Sequence, residues 1–523
     1  MMDKTRRNLM LATLATAATG VFGIGVARQK VVTKTSPAAN ARLGINLTGV
    51  PYWTSEFPFV DLFKQSGEWF IEGRQHTFAL DADGWIMQLP LGIVATTIVS
   101  VFEGEHFPSG DYVILYDGEG VIKVPNHLHK PAQAGRLVVN VNAKKGHFKL
   151  EISKINPQNY IKNIRIVPIA HDKTYQQNRW NPAFLARWQG VACLRFMDFM
   201  QTNNSPKAVW ADRAKPTDAR FGKGVPLEWM VDLANLLNCD AWFCMPHKAN
   251  DDYIKQSAQF VKHHLKPHLR AWVEHSNEVW NGGFQQHHDT AKAGMQLKFS
   301  DKPWEAALRY HAYRSVQIFK IWTDTFQANE RLVRVLASQA ATAYASEQIV
   351  SFQNAASHAD VLAIAPYISF MIGPTDNNGL NDKTVSQWNL DQLFEHLNKF
   401  ALSESIQWVK NSKKIADAHG LKLVAYEAGQ HLVGVGGGEN NEKLNDLFYK
   451  ANADARMGEI YSKSLMAWQQ LGGDLTCSYY SVGTWSKWGS WGLLQRFDDN
   501  PANSPKFSAN IKWAISRGQK MWL

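Results

Sequence analysis

From position 191 onward the chain alternates short, wholly apolar runs with longer stretches in which apolar residues recur at helical spacing. Apolar runs of this length read as strands covered on both faces, and the stretches between them as amphipathic helices. The alternation predicts βα units around a parallel sheet. Strands are expected at 191–196, 241–245, 271–276, 332–337, 361–365, 421–426 and 475–480. Helices are expected at 227–237, 253–265, 304–326, 390–418, 444–471 and 507–515.

A closed (β/α)8 barrel needs one strand more than these seven. The best match lies far upstream in Leu43-Gly44-Ile45-Asn46-Leu47, followed by a helix-like stretch at 59–65. Between 67 and 170 the texture changes to brief alternating runs bounded by turn residues, such as 112–116, 137–141 and 164–167, which is the pattern of an all-β sandwich. The predicted fold is therefore α/β: a TIM barrel whose first strand and loop occupy 41–66, an additional all-β sandwich at 67–170 inserted after that strand, and the remaining barrel at 171–523, resuming with a helix at 182–188. The same pattern also accommodates a sandwich preceding a barrel whose first strand is 164–169.

A chain of 523 residues with 45% hydrophobic and 20% charged residues, and with 36 Gly and 20 Pro spread along it, is neither disordered nor collagen-like. Its 20 Trp, 15 Tyr and 26 Phe supply broad rigid faces suited to cores, interfaces and clefts for flat amphipathic ligands such as sugars. The net charge of +10 is spread without any run of five basic residues. The densest internal group, Lys410, Lys413 and Lys414, has the spacing of a solvated helix face, so nucleic acid is not an expected partner.

Lys4, Arg6 and Arg7 precede an uncharged apolar stretch at 9–27, the plan of a signal peptide ending at Ala27. Thr5-Arg6-Arg7-Asn8-Leu9-Met10 resembles a twin-arginine export signal, so a periplasmic or secreted location is expected, with an uncleaved anchor as the alternative. No other stretch approaches 18 apolar residues, and no membrane integration is expected after cleavage. The four cysteines, Cys193, Cys239, Cys244 and Cys477, sit in or beside apolar runs without framework or metal-ligand spacing, and read as buried free thiols.

Functional groups of a βα barrel sit at the C-terminal ends of its strands. Two strands end in glutamate: the fourth runs through Glu274-His275-Ser276-Asn277-Glu278, and the seventh closes in Tyr426-Glu427. Strand parity places Glu274 on the same side as Glu278 but deeper, as a buried support. Other residues following strand ends are His247, Gln339, Trp280 and Asp198, with Trp488 and Trp491 in a Gly-rich loop beyond the eighth strand. His247 reads equally as a ligand contact or a helix cap, and the loop tryptophans equally as sugar platforms or packing. Gly436-Gly437-Gly438 lacks the strand-to-helix context and lysine of a phosphate loop.

An Asn-Glu pair ending strand four together with a Glu ending strand seven resembles clan A of the glycoside hydrolases, retaining enzymes built on this barrel. More narrowly, the chain resembles exported bacterial proteins labelled cellulose-binding. The resemblance spans the barrel in strand order and not the inserted β region. It implies that Glu278 is the acid/base and Glu427 the nucleophile of a double displacement, the two carboxyls about 5–5.5 Å apart. It further implies that Asn277 binds the 2-hydroxyl of the sugar, that Arg195 and Tyr367 hydrogen-bond the nucleophile, and that Trp485 is the platform beneath the sugar. The expected function is an exported glycosidase acting on a β-linked polysaccharide or oligosaccharide without metal or organic cofactor. The alternatives are carbohydrate binding without turnover, and transglycosylation.

Overall fold

The computed structural model describes residues 41–101, 104–130, 133–327 and 330–522. The signal segment expected at 1–27 lies outside them. Eight parallel strands close into a barrel: β1 (Arg42–Asn46), β2 (Cys193–Arg195), β3 (Asp240–Met245), β4 (Ala271–His275), β5 (Leu332–Ala337), β6 (Val361–Ile364), β7 (Lys422–Ala428) and β8 (Leu475–Ser478). Neighbours in sequence are neighbours in the ring, and β1 closes it by pairing with both β8 and β2. Most of these strands are buried from end to end, which is why they read as unbroken apolar runs.

The 43–47 run is thus the first barrel strand, and the chain leaves the barrel before forming the second. The run at 164–169 belongs instead to an antiparallel sheet as Lys162–Pro168, which removes the alternative order. The intervening region forms one three-stranded and one four-stranded antiparallel sheet. Ala95, Phe148 and Leu150 of the first sheet share one buried cluster with Ile114, Val139 and Ile166 of the second. The chain returns to the barrel at a bridge between Phe59 and Trp180, followed by the helix Pro182–Trp188, whose first turn Asn181 caps by accepting from the Ala183 amide. Buried Glu56, in the segment after β1, accepts from Trp188 and Ser481 and so ties this exit to the eighth strand's loop.

Several expected elements differ in detail. The stretch at 390–418 is one helical run interrupted by a π-helical turn at Leu397–Ala401. The stretch at 444–471 is two helices, Glu442–Ala453 and Ala455–Gln470, because Asp454 takes an extended backbone and its carboxylate caps the second helix. Only a 3-10 turn, Leu62–Gln65, forms in the stretch at 59–65. A helix at Gln285–Gln296 and a two-stranded parallel sheet, Ile368–Ile372 with Gln430–Gly434, were not legible as patterns.

All four cysteines are free and buried. Gly44 of β1 lies so close to β8 and β2 that an added Cβ would stand 2.6 Å from Cys477 Sγ and 3.1 Å from the Cys193 carbonyl. Gly44→Ala is expected to destabilise the fold by about 1–3 kcal/mol, the cost of overpacking a close-packed wall. A chemical-denaturation midpoint equal to that of the parent would refute this.

Candidate active site

The C-terminal ends of β1, β2, β4, β6 and β7 converge on a buried arginine. Arg195 closes β2 and has no solvent exposure. A guanidinium carries five N–H donors, and every one is used here. Nε and Nη2 grip both oxygens of Glu274 at 3.1 Å, Nη1 donates to Asn46 Oδ1 and to Glu427 Oε1 at 3.0 Å each, and Nη2 donates to Asn277 Oδ1 at 2.8 Å. The rings of Trp242 and Tyr426 cover it, 5.5 and 4.9 Å from the guanidinium carbon. Arg195 is a fixed charge holding two carboxylates at once.

Glu274 is fully buried and also accepts from the indole N–H of Trp242 at 2.8 Å. It is the buried support expected at that depth, and it acts as the counterion of Arg195. Glu274 and Glu278 do not, however, share one face of a continuous strand. β4 ends at His275, and Ser276 and Glu278 adopt left-handed backbones with φ of 63° and 43°. Alternation therefore does not carry past His275, and the turn rather than the pleat aims Glu278.

Glu427 receives one donor on each oxygen: Arg195 on Oε1, and the Tyr367 hydroxyl on Oε2 at 2.8 Å. The preceding Tyr426 lays its ring on the same guanidinium, although alternation would send consecutive residues to opposite faces. A register shift between β7 and β8, from Ala425 opposite Thr476 to Ala428 opposite Ser478, supplies the extra residue that lets both face inward.

Glu278 is half-buried and has only neutral donors. Asn281 donates to Oε2 at 3.0 Å, and the Tyr426 hydroxyl donates to Oε1 at 3.3 Å. The Trp280 indole, which can only donate, stands 3.3 Å from that same hydroxyl and so directs the Tyr426 proton toward Glu278.

Burial raises Glu278 above the ordinary carboxylate range. Burial and the neighbouring Glu278 charge push Glu427 up to about 8, against the pull of Arg195 and Tyr367. Two carboxyls coupled in this way hold one proton between them across the neutral range. The negative charge is best stabilised on Glu427, where a cation and a phenol donate, so the shared proton belongs on Glu278. Tyr367 and Tyr426 are themselves held well above the usual phenol range, first by burial, and remain donors.

Of the residues singled out from sequence, Arg195, Asn277, Glu278, Trp280, Tyr367 and Glu427 are brought together. Asn277 gives its carbonyl oxygen to Arg195 and one amide hydrogen to Asn203 Oδ1 at 3.0 Å, leaving a second amide hydrogen. Gln339 follows β5, and its side-chain oxygen is buried without a hydrogen-bond partner among the described residues. His247 turns instead to Asp289 of the helix Gln285–Gln296, 2.9 Å away. It lines a recess with Lys248, Tyr310 and Arg314. Trp485 is not joined to the carboxylates either: its ring stacks on Tyr449 at 6.5 Å, with Lys506 Nζ 5.3 Å from it. The loop beyond β8 thus packs the Trp485 ring against the helix Glu442–Ala453. Tyr479, next after β8, lies 6.3 Å from Tyr367 and 6.2 Å from Trp491.

Asn46, Asn203, Asn281, Tyr426, His431 and Tyr479 were missed. Asn46 and Tyr426 carried a usable signal, since one ends β1 and the other immediately precedes Glu427. Among the described residues no group of three or more His, Cys, Asp or Glu is placed to hold a metal ion, and no helix is long and apolar enough to cross a membrane.

No family model and no curated protein matches the chain. Solved structures resemble it distantly. A 4-O-α-L-rhamnosyl-β-D-glucuronidase from Fusarium oxysporum is 13% identical at a TM-score of 0.40, the match covering 66% of each chain. This chain thus spans about two-thirds of that protein's length. An endo-β-1,4-mannanase from Thermotoga petrophila is 11% identical over 65% of this chain and 74% of its own, at 0.29. A broad-specificity endoglucanase from Clostridium longisporum is 12% identical over 64% of this chain and 98% of its own, at 0.32. Likeness of this degree carries no inference about chemistry, which rests on the side chains themselves.

Proposed function

We propose that this chain is an exported retaining glycoside hydrolase that cleaves β-glycosidic bonds of a polysaccharide or oligosaccharide by double displacement. The observation that carries the reading is the unequal support of two coupled carboxyls. Glu427 has a buried guanidinium and a phenol, whereas Glu278 has only an amide and a phenol. One group is thereby kept anionic and the other protonated, the division of labour that glycosidic cleavage needs.

In the first step Glu427 attacks the anomeric carbon while Glu278 gives its proton to the departing glycosidic oxygen, leaving a glycosyl ester on Glu427. Arg195 and Tyr367 release charge density to the new bond as it forms. In the second step Glu278, now anionic, takes a proton from water, the water oxygen attacks the same carbon, and Glu427 leaves as carboxylate. Two inversions give net retention. In this reading Asn277, with its spare amide hydrogen, donates to a sugar hydroxyl, and Trp280 and Gln339 line the cleft. The chemistry draws on these side chains alone, without metal or organic cofactor. Export rests on the basic and apolar plan of residues 1–27.

A panel of β-linked glycans, with Glu427→Gln as control, tests the reading. Hydrolysis with the β-anomer released first, followed by NMR, is the expected result. Release of the α-anomer would mean inversion, and equal activity in the control would sink the assignment. Affinity without turnover by the parent protein would favour a binding role, and sugar transfer at high acceptor concentration a transglycosylase.

The shared proton also sets a pH limit. The rate should fall as pH rises through about 8, where the pair loses its last proton and Glu278 no longer serves as acid. A rate that stays level up to pH 10 would show that no such proton is used.

A further inference from the structure

The two-stranded sheet that extends from the ends of β6 and β7 begins at Ile368, directly after Tyr367, and sets Ser369 opposite His431. The His431 ring lies 5.6 Å from that of Tyr367, whose hydroxyl rests on Glu427. On its other side Trp491 donates its indole N–H to His431 Nδ1 at 2.9 Å. An indole nitrogen only donates, so Nδ1 must accept, and the imidazole proton must then reside on Nε2. Nε2 has no hydrogen-bond partner among the described residues, and the residue is half-buried. Trp491 is held in turn by its own loop. Gly489 has φ of +146°, and a Cβ there would come within 2.5 Å of the Trp491 ring. The indole reaches this position only because glycine stands beside it.

We propose that His431 is a specificity-determining residue whose Nε2–H, fixed in that tautomer by Trp491, donates to a hydroxyl oxygen of the sugar held against Glu427. The inference rests on the glycosidase reading above and adds one named contact to it. Burial lowers the imidazole to about 4, so the ring stays neutral and offers a single donor.

Three variants and 4-nitrophenyl β-glycosides (glucoside, galactoside, mannoside, xyloside and glucuronide) test it. His431→Phe keeps the ring and removes the donor; kcat/KM on the preferred glycoside should fall roughly 3–10-fold, the worth of one neutral hydrogen bond, mainly through KM. His431→Gln restores a donor and should regain part of the loss, which a purely packing role would not produce. Trp491→Phe leaves His431 in place but frees its tautomer, and should cost a smaller factor than His431→Phe.

The second readout does not depend on turnover. In protein labelled with 15N at histidine, NMR should show His431 neutral and protonated at Nε2, with mixed tautomers in Trp491→Phe. In Glu427→Gln, titrating the glycosides should move the Nε2–H resonance. Wild-type kcat/KM in His431→Phe, an Nδ1–H tautomer in the parent, or an Nε2–H resonance that no glycoside moves would each overturn the proposal. The hydrolase reading fails separately, if the parent turns over none of the glycans or glycosides.

Discussion

Glu427→Gln is expected to lower kcat/KM on any glycan the parent protein cleaves by on the order of 10⁴-fold or more, the scale seen when an attacking side chain is removed. The substitution is isosteric, and its surroundings tolerate it. The amide oxygen still accepts from Arg195, the Tyr367 hydroxyl turns to accept from the amide nitrogen, and Arg195 keeps Glu274, Asn277 and Asn46. The loss should therefore come with an unchanged far-UV spectrum and undiminished glycan affinity. Glu278→Gln should behave differently. The proton it removes matters for an alkoxide leaving group and hardly at all for 4-nitrophenolate, so the first step on an aryl glycoside should survive while natural glycans stall. If both variants lose both substrates equally, the two carboxyls do not have separate roles. If Glu427→Gln retains parental activity, Glu427 is not the nucleophile.

The second large effect concerns stability. Arg195→Leu strands Glu274 and Glu427, both buried, without their cation. Breaking a buried ion pair from one side costs about 3–5 kcal/mol, because a desolvated charge is left unpaired. The pH dependence follows from which way the pKa values move. Burial already raises both carboxyls, and Arg195 is what opposes the rise. Without it they are raised further above the unfolded value of 4.5. A folded-state carboxyl with a raised pKa loses stability as pH climbs above the unfolded pKa, and is unpenalised below it. The deficit of Arg195→Leu should accordingly be small near pH 4 and large near pH 7. Urea unfolding at the two values measures it, and a deficit independent of pH would mean that Arg195 acts through packing alone. Arg195→Lys should recover only part, since an ammonium cannot supply five donors in a planar fork.

Both predictions concern residues that the sequence already marked. Glu278 and Glu427 were legible because a barrel puts chemistry at strand ends, and a wholly apolar run announces where a strand stops. The first strand was legible for the same reason, even across an inserted β region of more than a hundred residues. Arg195 was marked for one partner and holds four. Its partners come from strands far apart in the chain, and no local pattern records which of them a guanidinium will reach.

What the sequence by itself determined is the barrel, its strand order and the pair of glutamates, since these follow from hydrophobic periodicity and from a rule of topology. What only the tertiary structure decided is direction. The left-handed turn at Ser276 and Glu278 and the register shift in β7 each rotate a side chain off its expected face. His247 and Trp485 followed strand ends as expected, and only the folded chain shows that one pairs with Asp289 and the other stacks on Tyr449. Tyr479 and His431, which were not singled out, stand beside Tyr367, the phenol that donates to Glu427. Periodicity states which residues are buried. Where a buried side chain points depends on backbone dihedrals and on neighbours brought from distant parts of the chain, and those exist only once the barrel has closed.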